Sequence, residues 1–120
     1  NYIRWFEEAR VDFLAQIGMP FEQVEARGIV SPVLRVSCEY KTMARFGETV
    51  RISVRVTGYT RAKLFLAYRV EDAVSGELRC TGESSHGFLS GSRPVSLRRA
   101  APDYDTILCS LPQESGGEED

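Results

Sequence analysis

With 120 residues, 42% of them hydrophobic, the chain can bury one core and has too little left for a second. Its net charge of −2 is uneven, because Glu114, Glu118, Glu119 and Asp120 crowd the end and leave a mildly basic body without the dense Lys/Arg face of a nucleic-acid binder. Cys38, Cys80 and Cys109 are odd in number, far apart in sequence and form no C-x-x-C pair, which argues for a reducing cytoplasm and against a disulfide or zinc framework. Neither a signal-peptide pattern nor an apolar run approaching the ~18 residues of a membrane span is present. The expectation is a soluble, cytoplasmic domain with no metal, no transmembrane segment and no nucleic-acid partner.

Tyr2, Trp5, Phe6, Ala9, Phe13 and Ile17 recur at three- and four-residue steps and form one stripe at helical spacing. Ile3 and Leu14 widen it, predicting a helix buried over more than half its circumference, while Arg4 and Glu8 can pair across one turn. Gly18 offers a C-terminal cap and Pro20 forbids continuation. The chain starts at Asn1 without a Met and enters this helix at once, as though cut inside an element.

Residues Phe21 to Arg27 predict a short second helix that Gly28 ends. The period then changes to two. Leu34, Val36, Cys38 and Tyr40 alternate with polar residues, as do Val50, Ile52, Val54 and Val56, so both runs are expected to be half-buried strands. Leu64, Leu66, Tyr68 and Val70 mark a third strand. After a turn at Ser75-Gly76, a fourth carries Leu78, Cys80, Gly82, Ser84, His86 and Phe88 in phase. Gly82 removes a side chain from that face, which suits close approach of a helix. Ala101 to Leu111 predicts a short C-terminal helix with Pro102 near its start, and Gln113 onward reads as a disordered acidic tail. One long helix followed by an antiparallel meander is an α+β pattern. A single helix cannot cover both faces of such a sheet, so self-association through an edge strand is expected.

The order of these elements, and the words within them, resembles the hotdog thioesterases of the 4-hydroxybenzoyl-CoA and Tol-Pal-associated acyl-CoA thioesterase type. The resemblance is carried by Asn1-Tyr2-Ile3-Arg4-Trp5-Phe6-Glu7-Glu8-Ala9-Arg10, by Arg27-Gly28-Ile29-Val30-Ser31-Pro32-Val33, and by Ala44-Arg45-Phe46-Gly47-Glu48. Gly82-Glu83-Ser84-Ser85-His86-Gly87-Phe88 and Arg93-Pro94-Val95 follow in the same order. It implies a hotdog fold over residues 1–112, a long central helix wrapped by an antiparallel sheet whose first strand is absent from the chain, followed by the tail 113–120. It also implies a homodimer or homotetramer with active sites between subunits, and hydrolysis of an acyl-CoA thioester to free acid and CoA without a cofactor, CoA being part of the substrate. Acyl carrier protein is a further candidate partner. The acid of the family precedes the helix in a pattern like Asp-x-x-Gly-x-Val, so it is expected upstream of Asn1.

Thioester hydrolysis needs a carboxylate and donors aimed at the developing oxyanion. The N-terminus of a buried helix supplies free N–H groups and a positive dipole end. This places Asn1 and Tyr2 at the expected reaction centre, although Tyr2 reads equally as a core aromatic. Glu7 could stand in as the catalytic carboxylate, but a partly buried Glu7–Arg10 pair is the favoured reading. His86 is expected to be structural or a subunit contact. Ser31 is a candidate for the acyl pocket, although Ser before Pro32 is also turn chemistry. In the hairpin Gly58-Tyr59-Thr60-Arg61-Ala62-Lys63, Arg61 and Lys63 are candidates for the phosphates of CoA and Tyr59 for its adenine, with Thr60 between them. A non-catalytic acyl-CoA or acyl-carrier binding module, or a plain dimerisation domain, is the alternative to the enzyme.

Overall fold

The computed structural model describes residues 2–43 and 47–112; Asn1, the Ala44-Arg45-Phe46 link and the predicted tail lie outside the described residues. Helix α1 (Tyr2–Gln16) opens the fold. Its predicted stop holds, because Gly18 takes φ +104°, a conformation that strains residues with a Cβ, and Met19 N–H returns to the Leu14 carbonyl at 2.8 Å. There follow α2 (Phe21–Ala26), β1 (Ile29–Val30), β2 (Val33–Tyr40), β3 (Val50–Tyr59), β4 (Lys63–Asp72) and β5 (Leu78–Gly87). The chain closes with β6 (Leu89–Ser90), β7 (Arg93–Pro94), α3 (Leu97–Ala100) and α4 (Pro102–Cys109). The four long strands form an antiparallel sheet in the order β2-β5-β4-β3, and the short ones a second sheet in the order β1-β6-β7.

The two-residue alternation does what it predicts in the inner strands: Leu64, Leu66, Tyr68, Val70 and Cys80 are buried on the face turned to α1. Gly82 is where the Phe6 ring of the helix meets the sheet backbone. A Cβ there would collide with the Phe6 ring and stand 2.9 Å from the Ser37 carbonyl oxygen. Phe6 consequently lies flat on Tyr68, with ring centroids 4.5 Å apart and 12° between planes. No helix among the described residues is long and apolar enough to cross a membrane.

Two expectations are corrected. The strand Leu34–Tyr40 is not half-buried, since in β2 only Cys38 escapes exposure, while Leu34 is 52% and Tyr40 69% exposed. The reason is its place at the sheet edge, beyond the β4 and β5 surface on which Phe6 sits. Helix α1 is covered less than its stripe predicts, with only Phe6 fully buried and Ile3 exposed. The C-terminal helix forms where it is predicted, as α4 with Pro102 at its first position, and Ala101, at φ −153°, separates it from the short α3 that precedes it.

Helix α4 packs Tyr104 and Leu108 into the core. Its docking is fixed by Arg27, which follows α2 and donates two 2.7 Å hydrogen bonds to the Asp103 carboxylate. The same guanidinium lies over the Tyr104 ring, 4.2 Å from its centroid.

Candidate active site

The first turn of α1 carries no acidic side chain to offset its positive end. Aromatic rings wall it. Tyr2 meets Trp5 edge-on at 5.1 Å and Tyr40 of β2 at 5.2 Å. The positive end of the helix dipole therefore lies beside an aromatic surface, an environment suited to an oxygen gaining negative charge. Asn1, the other residue expected here, lies outside the described residues. Glu7 is exposed and Arg10 half-buried, and the partly buried pair that their spacing allows does not form. Arg4 and Glu8 do pair, at 3.3 Å, in full contact with solvent.

Beneath α1 runs a chain of buried hydroxyls and imidazole. The Tyr68 hydroxyl lies 2.7 Å from Ser84 Oγ, which lies 2.8 Å from His86 Nε2. Burial first, and the Arg10 charge second, lower the His86 pKa to about 4, so its ring is neutral near pH 7. A Ser–His contact is the geometry of an activated nucleophile. Here Ser84 is buried and His86 Nδ1 has no hydrogen-bond partner among the described residues, hence no acid among them to orient the ring. The trio is a core hydrogen-bond network, consistent with a structural histidine.

Ser31 donates its hydroxyl to the Gly87 carbonyl at 3.0 Å. It also lines a small apolar cavity of about 110 Å³ formed with Leu14, Met19, Val24 and Ile29 and rimmed by Arg10. The hairpin residues do not converge on one spot. A register shift between Val56 and Gly58 places Tyr59 opposite the buried Leu64, so its ring turns toward the core and α4. Its hydroxyl donates to Asp105 Oδ1 at 2.5 Å, and burial followed by that carboxylate raises the phenol pKa above its ordinary value. Arg61, at φ +71°, approaches the same carboxylate to 3.5 Å, and its carbonyl accepts the Leu97 N–H. Thr60 closes the turn, its Oγ1 accepting from Lys63 N–H at 3.1 Å. Thr60, Arg61 and Lys63 are all exposed, and Lys63 lies at the margin of an open concavity of about 690 Å³ shared with Arg35, Phe65 and Ser85.

Two features escape sequence reasoning. Arg79, buried, donates to Glu48 at 2.7 and 3.1 Å, to Glu77 at 2.9 Å and to Asp72 at 3.2 Å, tying the segment before β3 to the β4–β5 turn through one guanidinium. Cys38 and Cys80, distant in sequence, bring their sulfurs within 2.9 Å as free thiols. Their spacing in the chain gave no such signal.

Comparison with known proteins adds a family to this geometry. The model of the thioesterase-like superfamily matches residues 1–103. The candidate acyl-CoA thioesterase YneP of Bacillus subtilis is 29% identical over 108 residues, spanning 88% of this chain and 78% of YneP. Among solved structures, the DHNA-CoA thioesterase of Staphylococcus aureus superposes with TM-score 0.86 at 30% identity, covering 91% of this chain and 74% of that one. A hypothetical protein of Thermus thermophilus gives 0.84 at 33% identity, covering 94% and 82%.

Proposed function

The chain belongs to the thioesterase-like superfamily and has its hotdog fold, and from that premise we propose that it hydrolyses an acyl-CoA thioester to free acid and CoA. The observation that carries this reading is the acid-free, aromatic-walled first turn of α1. In the proposed reaction a carboxylate from the segment leading into α1 attacks the thioester carbonyl or activates water for that attack. The positive end of the helix dipole stabilises the oxyanion, whose collapse expels the CoA thiolate, which gains a proton; where the carboxylate itself attacks, water then cleaves the resulting anhydride to the free acid and restores the carboxylate. Tyr2 walls this centre, Asn1 is assigned beside it from the sequence alone, and Ser31 borders the acyl side. CoA is part of the substrate, and no other cofactor enters.

At the nucleotide end, Lys63 is the residue best placed to meet a phosphate, while Tyr59 and Arg61 hold the hairpin against α4. On motif order we place the chain with the 4-hydroxybenzoyl-CoA and Tol-Pal-associated type. We also propose a cytoplasmic homodimer or homotetramer in which the exposed edge strand β2 pairs with a second copy. An acyl group on acyl carrier protein is a second candidate thioester donor.

The test is CoA release, followed with a thiol reagent, from a panel of short, long and aromatic acyl-CoAs on the natural full-length protein. The aromatic arm is motivated by the Staphylococcus neighbour's DHNA-CoA activity. Turnover of at least one class is expected. Tight binding across the panel with no thiol released would replace the enzyme by an acyl-CoA binding module.

A further inference from the structure

Cys38 and Cys80 lie 42 residues apart in sequence, with their sulfurs 2.9 Å apart across the β2–β5 ladder. In that ladder Cys38 stands opposite Gly82 and Tyr40 opposite Cys80, so the two cysteines are diagonal neighbours. A disulfide bond is about 2.05 Å long, so less than about an ångström of approach separates the thiols from covalent contact.

Their surroundings are unequal. Cys38 is half-buried on an exposed edge strand, between the exposed Ser37 and Glu39, where a small oxidant can reach it. Cys80 is fully buried, and burial first, then its neighbour Cys38, push its thiol up to about 12. It is unreactive toward an outside reagent. Cys109, exposed on α4 and near the Asp105 carboxylate, is a separate thiol.

We propose that Cys38 and Cys80 are an oxidisable dithiol that closes to an intrachain disulfide when the protein meets a peroxide. The Cys38 thiolate attacks one peroxide oxygen, breaking the O–O bond and becoming a sulfenic acid as hydroxide leaves and is protonated to water. The Cys80 sulfur then attacks Cys38 Sγ. The S–S bond forms, the S–O bond breaks, and the departing hydroxide takes the Cys80 proton as a second water. Two electrons pass from the thiols to the peroxide, and a reducing thiol reverses the change.

The staple has structural reach. Tyr40, opposite Cys80, holds the Tyr2 ring in the first turn of α1, and Gly82, opposite Cys38, carries Phe6. Closing the pair fixes the edge strand to the sheet directly under the helix start. The inference is independent of the hydrolysis reading, because its readout is covalent.

The test oxidises the full-length protein, in a Cys109→Ser background that prevents intermolecular linkage through that residue, with near-stoichiometric hydrogen peroxide under native conditions. Free thiols are alkylated and the digest is mapped by mass spectrometry. A linked peptide pair containing Cys38 and Cys80, lighter by two hydrogens and released by dithiothreitol, is expected, with a higher Tm for the oxidised form. Cys38→Ser, at a half-buried position that tolerates a hydroxyl, should fold normally and lose both the link and the Tm increase. Recovery of Cys38 as sulfinic or sulfonic acid with Cys80 still alkylatable after unfolding, or of both as unmodified thiols, overturns the proposal and leaves a packed thiol pair.

Discussion

Replacing Gly82 by Ala tests how α1 is seated. The added methyl meets the Phe6 ring on one side and the Ser37 carbonyl oxygen, at 2.9 Å, on the other. The carbonyl belongs to β2 backbone held in register with β5, so the ring must give way. Overpacking of this kind costs about 1–3 kcal/mol. Moving Phe6 off Tyr68, where the planes are 12° from parallel, adds about 0.5–1.5 kcal/mol. Ala gains back roughly 0.5–1 kcal/mol over Gly in a strand through lower unfolded-state entropy. The net expectation is a loss of about 2 kcal/mol, read as a urea midpoint lowered by roughly 1 M with unchanged slope. In a Phe6→Leu background the same substitution should cost under about 1 kcal/mol, since the colliding ring edge is gone, and the difference is the coupling energy of the pair. A Gly82→Ala protein as stable as its parent, or a full cost retained in the Phe6→Leu background, would refute the claim that Phe6 wedged over this glycine is what seats the helix.

The His86 pKa of about 4 lies below its unfolded value of about 6.5, so between these values the unfolded chain binds a proton that the folded one refuses. Stability should fall as pH drops through that window, by of order 3 kcal/mol in full, and His86→Gln should flatten the slope; an unchanged slope in urea titrations at pH 7 and 4.5 would discount the buried ring. Tyr59→Phe removes a hydrogen bond to a carboxylate and should cost about 1.5–3 kcal/mol with little change in KM, whereas Lys63→Glu should raise KM for acyl-CoA but not for a pantetheine-only thioester. The reverse pattern would assign the tyrosine to the ligand. Arg79→Met leaves Glu48, Asp72 and Glu77 facing one another around an apolar side chain and should lower the thermal midpoint more than Arg4→Met, which breaks only an exposed pair.

Local rules were enough to read much of the fold. Gly18 with Pro20, the inner-face alternation of Leu64 to Val70 and the missing side chain at Gly82 each act through neighbours one turn or one strand away. What stayed hidden depends on which strand lies at the edge and on register. Val36 and Tyr40 have the alternation of a half-buried strand, but alternation reports a face and says nothing of whether a helix reaches it. Tyr59 follows Val56 by three residues and should point outward. The register shift before Gly58 reverses it, and only the pairing with Leu64 reveals that. The Cys38–Cys80 contact and the Arg79 cluster join positions that meet only once the ladder is assembled. The candidate site divides in the same way. The helix start was legible from its own residues, whereas the role of each hairpin residue depends on α4, more than forty positions away.

That dependence has a physical direction. Helix α4 has eight residues, no side-chain cap hydrogen bond and two acids in its first turn. At this length it is too short to persist alone, so its order comes from what those acids hold. Asp103 takes Arg27, and chiefly that hydrogen bond lowers its carboxyl pKa to about 2. Asp105 takes the Tyr59 hydroxyl and stands near Arg61. Both carboxylates sit where the helix dipole already favours negative charge, so the groups that stabilise the helix start also dock the helix. The Arg61 backbone, in the left-handed region that a non-glycine residue adopts at a cost of order 1 kcal/mol, is held there by the Leu97 N–H and by Asp105. The geometry of the hairpin, and the direction in which Lys63 is presented, are therefore set from the C-terminal end of the chain. A change that loosens α4 should alter recognition at the hairpin without touching a residue that meets the ligand.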